Sequence, residues 1–343
     1  MTIGLKVLAP GLHTTVQDLG RVGYQHIGVP VSGALDGSSL RLANALVGNP
    51  QNTAVLEALI SGPTLEVAVD TVRIAVVGTG ASLIIRGDPP RIVAAGQSTT
   101  LEHGAVIEIA VGRDTACCYL AVEGGIAVPL VLGSASTYVR AAIGGFQGRA
   151  LRRDDILPLT IARAAERPEL RISAPPVAAE QSIRVVLGPQ HDYFAEDAVT
   201  SLLSAEFRIS KDADRMGLRL DGPVLRHRHG WDIVSDAIAT GSIQVPGSGQ
   251  AIVLLADHQT TGGYPKIATV ISADLPALGR RRPGDTLRFL SVSLETAEQL
   301  ARDAEHELAK LISTLEPAPN GTDLDFGLLY DENLISGVTA GIE

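Results

Sequence analysis

Short runs of β-branched and aliphatic residues, closed at both ends by turn-forming residues, recur along the whole chain, and a chain patterned in this way is constrained to fold into sheets. In the first half the runs are LEVAV from Leu65, VRIAVVG from Val72, SLIIRG from Ser82, VIEIA from Val106 and CCYLAV from Cys117. In the second half they are IRVVLG, FRIS, SIQVP, AIVLLA, KIATVIS and TLRFLSV. Aromatic residues make up only 3% of the chain. The interior must therefore be assembled from Val, Ile, Leu and Ala, and the 36 glycines and 19 prolines supply the many tight turns that a sandwich or barrel needs. Two segments break the pattern. Ser38 to Gly48 carries Leu40, Ala43, Leu46 and Val47 at helical spacing with Gly48 placed to end the helix. Ser293 to Leu315 carries one apolar stripe with Ser293 as N-cap. The expected fold is mainly β, with a few short helices and a C-terminal amphipathic helix.

At 343 residues the chain exceeds one ordinary core. The stretch from Ile161 to Ser182 is rich in Ala, Pro and charge and lacks periodicity, which marks it as the boundary. The expected division is a β-rich domain over 1–165, a second β domain over 183–292, the helix over 293–315 and an acidic tail over 316–343.

Composition also removes whole classes of function. A net charge of -10 disfavours DNA or RNA as partners, since such binding needs clustered cations to displace counterions. No apolar run approaches the roughly 20 residues of a membrane span, and the N-terminus shows no secretory pattern, so a cytoplasmic location is expected. Cys117 and Cys118, the only cysteines, are adjacent on an expected strand and point to opposite faces, which predicts two reduced thiols rather than a disulfide.

No G-x-S-x-G elbow, H-E-x-x-H, phosphate-loop or CxxC motif occurs. Gly78-Thr79-Gly80 precedes a strand rather than a helix and reads as a hairpin turn. His227 and His229 share one face but have no obvious third ligand nearby, so they read as solvated loop histidines. Polar chemistry concentrates elsewhere. TTVQDLGRVGYQHIGVPVSGALD, from Thr14 to Asp36, gathers Gln17, Asp18, Arg21 and Asp36 among glycines that let a backbone approach a ligand, or else forms an Asp18–Arg21 turn lock. DHQTTGGYPK supplies Asp257, Gln259, Thr260, Thr261, Gly262, Gly263, Tyr264 and Lys266, a set suited to an anionic oxygen of a carboxylate, carbamate or phosphate; its structural alternative is a tight hairpin. STYVRAAIGGFQGR, with Tyr138, Arg140, Gly144 and Gly145, and DADRMGLRLDG, with Asp214 and Arg215, mix glycines with arginine forks that bind anions or brace loops.

Taken with RLANALVGNP and SIQVPGSGQ, which contains Gln244, these motifs span nearly the whole chain. As a set they resemble the KipA-like family related to allophanate hydrolase subunit 2. The resemblance implies cyclophilin-like β-barrel domains and kinship with the biotin-dependent carboxyltransferase part of urea carboxylase. It further implies that a free-standing bacterial member is the C subunit of an ATP-dependent 5-oxoprolinase, working with a KipI-like B subunit, a LamB/YcsF-like A subunit, ATP and a divalent metal, in the simplest case Mg. The expected catalytic residues are Asp18, Arg21 and Lys266, with Lys266, Arg21 and Arg140 neutralising phosphate or carboxylate. Carboxyl transfer to urea or a similar amide, with biotin, and non-catalytic regulation of a KipI-like protein are the rival implications. Two positions depart from the family pattern: Ala237 stands where a glycine is expected, and His258 where an arginine is expected.

Overall fold

The computed structural model describes residues 4–173 and 182–319. All the expected runs form strands, and the protein is mainly β. Among the described residues there are four α-helices: α1 Gly37–Leu46, α2 Glu196–Ser204, α3 Leu275–Gly279 and α4 Leu294–Ser313.

In the first half two antiparallel sheets face each other. One has six strands, in the order Ile156–Pro158, Gly4–Ala9, Thr64–Val67, Val106–Ala110, Ser82–Ile85 and Arg91–Ala94. The other has five, in the order His13–Gln17, Val55–Leu59, Cys117–Val122, Thr71–Val77 and Ser98–Glu102. Alternate side chains from both sheets, among them Leu5, Leu65, Ile107, Leu56, Ile74 and Leu120, fill one core between them. The outer face of the five-stranded sheet is apolar as well and is covered by α1, whose Leu40, Ala43 and Leu46 pack on Val55, Val77 and Tyr119.

Gly78-Thr79-Gly80 is not a hairpin. The strand before it lies in the five-stranded sheet and the strand after it in the six-stranded sheet, so this turn carries the chain from one layer to the other. The two cysteines behave as expected. Cys118 packs in the core between the sheets and Cys117 beneath α1. Neither is bonded to the other. Burial pushes both thiols up, Cys118 to about 12, so neither presents a thiolate near neutrality.

The second half closes into a seven-stranded barrel, in the order Ser182–Leu187, Lys266–Val270, Ser242–Gln244, Ile252–Leu254, Gly217–Asp221, Phe207–Ile209 and Thr286–Ser291. The last strand pairs in parallel with the first, which shuts the ring and removes both sheet edges. Val185, Phe207, Leu220, Val253, Ile267 and Phe289 fill the interior, and Ala198 and Leu202 of α2 pack against it. Helix α4 begins where Ser293 accepts from the Thr296 amide at 3.2 Å. It runs back to the first half, where Leu311 and Ile312 join the cluster under α1 and Glu305 forms an exposed bidentate pair with Arg41. Glu316–Pro317 then pairs with Leu170–Arg171. The rest of the expected acidic tail, and residues 174–181 of the expected linker, lie outside the described residues. Among the described residues no helix is long and apolar enough to cross a membrane.

Candidate functional site

The polar motifs converge on three neighbouring arrangements. The first is a buried knot in the first half. Asp18, just after the strand His13–Gln17, is 2% exposed, and its carboxylate accepts from the Gly20 amide at 2.8 Å, the Ala135 amide at 2.7 Å and the hydroxyls of Ser134, at 2.6 Å, and Ser136. Three donors on Oδ1 and one on Oδ2 hold this buried carboxylate, so its contribution is to fix the chain segment Ser134–Ser136. The expected Asp18–Arg21 lock does not form. Arg21 donates through Nη2 to the carbonyl of Ser136 instead. Its Nε and Nη1 have no hydrogen-bond partner among the described residues. Burial pulls its pKa down, partly offset by the nearby charges of Asp18 and Asp257. Gln17 donates to Thr15 and to the carbonyl of Thr137. Gly144 and Gly145 adopt φ of 68° and 55°. A Cβ on Gly144 would overlap Ser136 and the Arg21 guanidinium, and one on Gly145 would overlap Thr137. Both positions therefore require glycine for space and for backbone angle.

The second arrangement joins the halves. Arg215, from the barrel half, inserts between Glu57 of the five-stranded sheet and Asp257. Its Nε reaches Asp257 Oδ2 at 2.8 Å and its Nη2 reaches the carbonyl of Gly33 at 2.6 Å. Glu57 also accepts from Tyr119 Oη at 2.7 Å and the Leu35 amide at 2.8 Å. Burial opposes the charge on Arg215, but Glu57 and Asp257 more than offset it and hold the guanidinium firmly protonated. Asp36, expected to bind a ligand, is fully buried. It caps α1 by accepting from the Ser39 amide at 3.0 Å and pairs with Arg280 of the barrel half at 2.5 Å. Its role is to seat α1 and dock the halves. Arg140 and Asp214, far apart in sequence, meet at 3.2 Å across the mouth of the cleft between the halves. Tyr138 contributes backbone bonds to Ile143.

The third arrangement is a covered ledge on the barrel. Register places Gln244 directly opposite Lys266, and a shift in pairing between Ile243 and Gln244 brings them together in place of Gln244 and Ile267. Both residues are buried. Above them arches a two-stranded ribbon in which Asp236–Ala237 pairs with Thr261–Gly262. The segment from Asp257 to Lys266 is therefore not a hairpin between its flanking strands, since both of those pair with Ser242–Gln244. The Lys266 ammonium is not free: Nζ meets Asp236 Oδ2 at 2.9 Å and the Ala237 carbonyl at 3.4 Å. Contact with Lys266 holds the exposed Asp236 carboxyl below its usual range. The Gln244 Oε1 accepts from Gln259 at 3.2 Å, while its Nε2 has no partner among the described residues and lies where a Cβ on Gly262 would meet it at 2.7 Å. Thr260 and Gly263 give their carbonyls to the Ile238 and Ile233 amides. Tyr264 and Trp231 stand exposed at the rim with ring centroids 6.3 Å apart.

Sequence reasoning thus finds Arg140, Asp214, Arg215 and Asp257, which the fold brings together, and Lys266, Gln244 and Gln259, which it also brings together. It misses Glu57, Tyr119, Asp236 and His13. Glu57 carried a signal, a carboxylate inside the apolar run VLEAL. The others carried none. His227 is not simply solvated, since its Nε2 lies 3.0 Å from the Val245 carbonyl and its ring packs on Phe194. Among the described residues no group of three His, Cys, Asp or Glu is arranged to hold a metal.

His258 is fully buried with Nε2 3.1 Å from Thr240 and Nδ1 2.6 Å from the Gln259 carbonyl. Burial lowers its pKa, and burial together with the Arg215 charge lowers that of His13, against the opposing charges of Glu57 and Asp257. Both imidazoles therefore take up protons at a lower pH in the folded protein than in the unfolded chain, which does so below about pH 6.5. Their contribution to stability is complete above that pH and lost as pH falls further. Unfolding free energies from urea titrations between pH 7.5 and 5.5 are expected to fall below about pH 6.5, by at most about 1.4 kcal/mol per pH unit for each histidine. The His258→Gln variant should show a shallower slope, and an unchanged slope would remove His258 from the account.

The chain is 38% identical over 291 residues to the 5-oxoprolinase C subunit of Haemophilus influenzae, covering 85% of this chain and 92% of that protein. It is 34% identical over 307 residues to the 5-oxoprolinase C subunit of Escherichia coli, covering 90% and 97%. Among solved structures, the K. lactis urea amidolyase superposes with a TM-score of 0.82 at 29% identity, covering 90% of this chain but 20% of that much longer enzyme. The profile of the carboxyltransferase domain, subdomain A and B, matches residues 27–291, a span that takes in the Asp36 cap, the Arg215 junction and the Lys266 ledge. The chain belongs to this carboxyltransferase domain family.

Proposed function

We propose that this chain is the C subunit of an ATP-dependent 5-oxoprolinase, acting with a KipI-like B subunit and a LamB/YcsF-like A subunit to open 5-oxo-L-proline to L-glutamate. The observation that carries the reading is coverage in both directions: the chain spans 92% of a free-standing protein of that name, whereas it spans 20% of urea amidolyase. Chemistry supplies the rest. Amide resonance protects a lactam from water, and transfer of the ATP γ-phosphoryl group to the lactam oxygen turns that oxygen into a leaving group. Water then adds to the ring carbon, the C–N bond breaks as the nitrogen takes up a proton, leaving an open-chain acyl phosphate, and a second water displaces phosphate from that acyl carbon to give the glutamate side-chain carboxylate. Each stage places negative charge on oxygen. The Lys266 ammonium, buried and answered by one exposed carboxylate, and the unpartnered Gln244 N–H beside it, are the donors this chain offers to such an oxygen. In this reading the divalent ion arrives on the nucleotide's phosphates.

Urea amidolyase supports a second reading through its fold: carboxyl transfer from biotin to an amide, in which the same ledge would hold a carbamate-like oxyanion. One assay separates the two. Glutamate release from 5-oxoproline and ATP is measured with this chain co-purified with its two partner subunits, omitting each in turn. Release that disappears without this chain is the expected result. Release that persists without it, or none from the full set, overturns the reading, and biotin-dependent turnover of urea would establish the second.

A further inference from the structure

Between the halves lies an open cleft of about 360 Å³, with walls that are largely apolar. Leu59, Ile60, Val139 and Met216 line it. Three of its features are unexplained by packing. His13, at the start of the strand His13–Gln17, lines it, with Nδ1 buried and without a hydrogen-bond partner in any other described residue. Ile60 sits at φ 65°, a left-handed conformation that a β-branched residue adopts only when its surroundings impose it. Its amide is pinned to the carbonyl of Ala116 at 2.8 Å, which fixes this wall of the cleft. Arg140 at the mouth is 61% exposed and makes a single contact among the described residues, with Asp214 Oδ2. The Asp214 Oδ1 is separately held by the amides of Met216, at 2.8 Å, and Gly217, at 3.2 Å.

These contacts divide the cations by availability. The Arg215 guanidinium on the floor is committed to Glu57, Asp257 and Gly33, so it has nothing to offer an incoming anion. Arg140 does. An exposed single contact is exchanged at little cost, and a guanidinium fork takes a ligand carboxylate in two parallel hydrogen bonds where Asp214 takes one. An imidazole nitrogen inside an apolar cleft pairs with one further polar group, an N–H or a carbonyl according to its tautomer.

We propose that this cleft binds a small organic carboxylate with an apolar ring or chain, its carboxylate taken by Arg140 and its amide N–H donated to His13 Nδ1. The inference deepens the oxoprolinase reading, on which the choice of 5-oxo-L-proline as probe rests: that molecule joins a carboxylate, two ring methylenes and a lactam in one small frame.

Calorimetric titration of the full chain tests it. Saturable binding of 5-oxo-L-proline is expected, weakened about tenfold or more by Arg140→Gln, and weakened similarly when the probe is 2-pyrrolidinone, which keeps the lactam and lacks the carboxylate. His13→Leu should weaken 5-oxo-L-proline severalfold, and Asp214→Asn, which releases Arg140, should tighten it. Arg140 and Asp214 are exposed, so unchanged thermal midpoints will certify those two folds. Absence of saturable binding, or equal affinity in the Arg140→Gln and His13→Leu variants, overturns the inference. Glutamate release by the complex decides the parent reading separately: turnover with a wild-type KM in both variants leaves that reading standing and removes the cleft from it.

Discussion

Replacement of Arg215 by Met is expected to cost about 3–5 kcal/mol of stability, the largest loss from any single substitution outside the apolar cores. The guanidinium answers two carboxylates, Glu57 at 0% and Asp257 at 5% exposure, contributed by different halves of the molecule. Removing it leaves both buried, close together and without a cation. Lys at this position will not restore the loss, because one ammonium cannot reach Glu57, Asp257 and the Gly33 carbonyl along the three directions that the fork supplies. The contrast that identifies the cause is the charge-free triple variant, Glu57→Met, Arg215→Met and Asp257→Leu. It should recover much of the stability, since a buried ion network is costly to break and less costly to replace outright. Urea unfolding of the wild type and these variants measures this. A loss below about 1 kcal/mol for Arg215→Met would show that water reaches the junction and that the network does not hold the halves together.

That network also marks the limit of what the sequence discloses. Strands were legible wherever β-branched residues ran together, as in VRIAVVG and KIATVIS. They were not legible in HTTVQ, where polar side chains are buried because the fold supplies partners: Thr14 Oγ1 donates to the Pro10 carbonyl at 2.6 Å, a contact with no signature in hydrophobic period. At the site, Arg215 and Asp257 were visible as motif members, whereas Glu57 belonged to no polar motif and its one signal, a charge inside an apolar run, went unread. Their meeting was not visible, since Arg215 and Glu57 are 158 residues apart. Asp18 and Asp36 each stand as a carboxylate among glycines in the sequence, and the fold spends both on serine hydroxyls, backbone amides and an arginine. A sequence shows which groups are present; whether a carboxylate is spent on the fold depends on donors brought from distant segments.

Lys266 is the opposite case, a cation spent on a partner it can release, and its substitution carries the largest expected effect on activity. Lys266→Met in the assembled complex should lower kcat for glutamate release by about 10²–10³, the range found when one preorganised donor to a developing oxyanion is removed. Methionine preserves most of the stem that packs on the barrel, and Asp236, with its side chain 51% exposed, recovers full hydration once unpaired. The thermal midpoint should therefore move little while turnover falls. Asp236→Asn makes the complementary test. If Asp236 holds the ammonium until substrate oxygen displaces it, the neutral variant keeps the donor and loses the competitor, so KM should fall a few-fold with kcat retained. Should Lys266→Met keep kcat within threefold of wild type, the ledge is a structural ion pair beneath a ribbon, and the oxyanion must be received by groups outside this arrangement, with the unpaired N–H groups of Arg21 the next to replace.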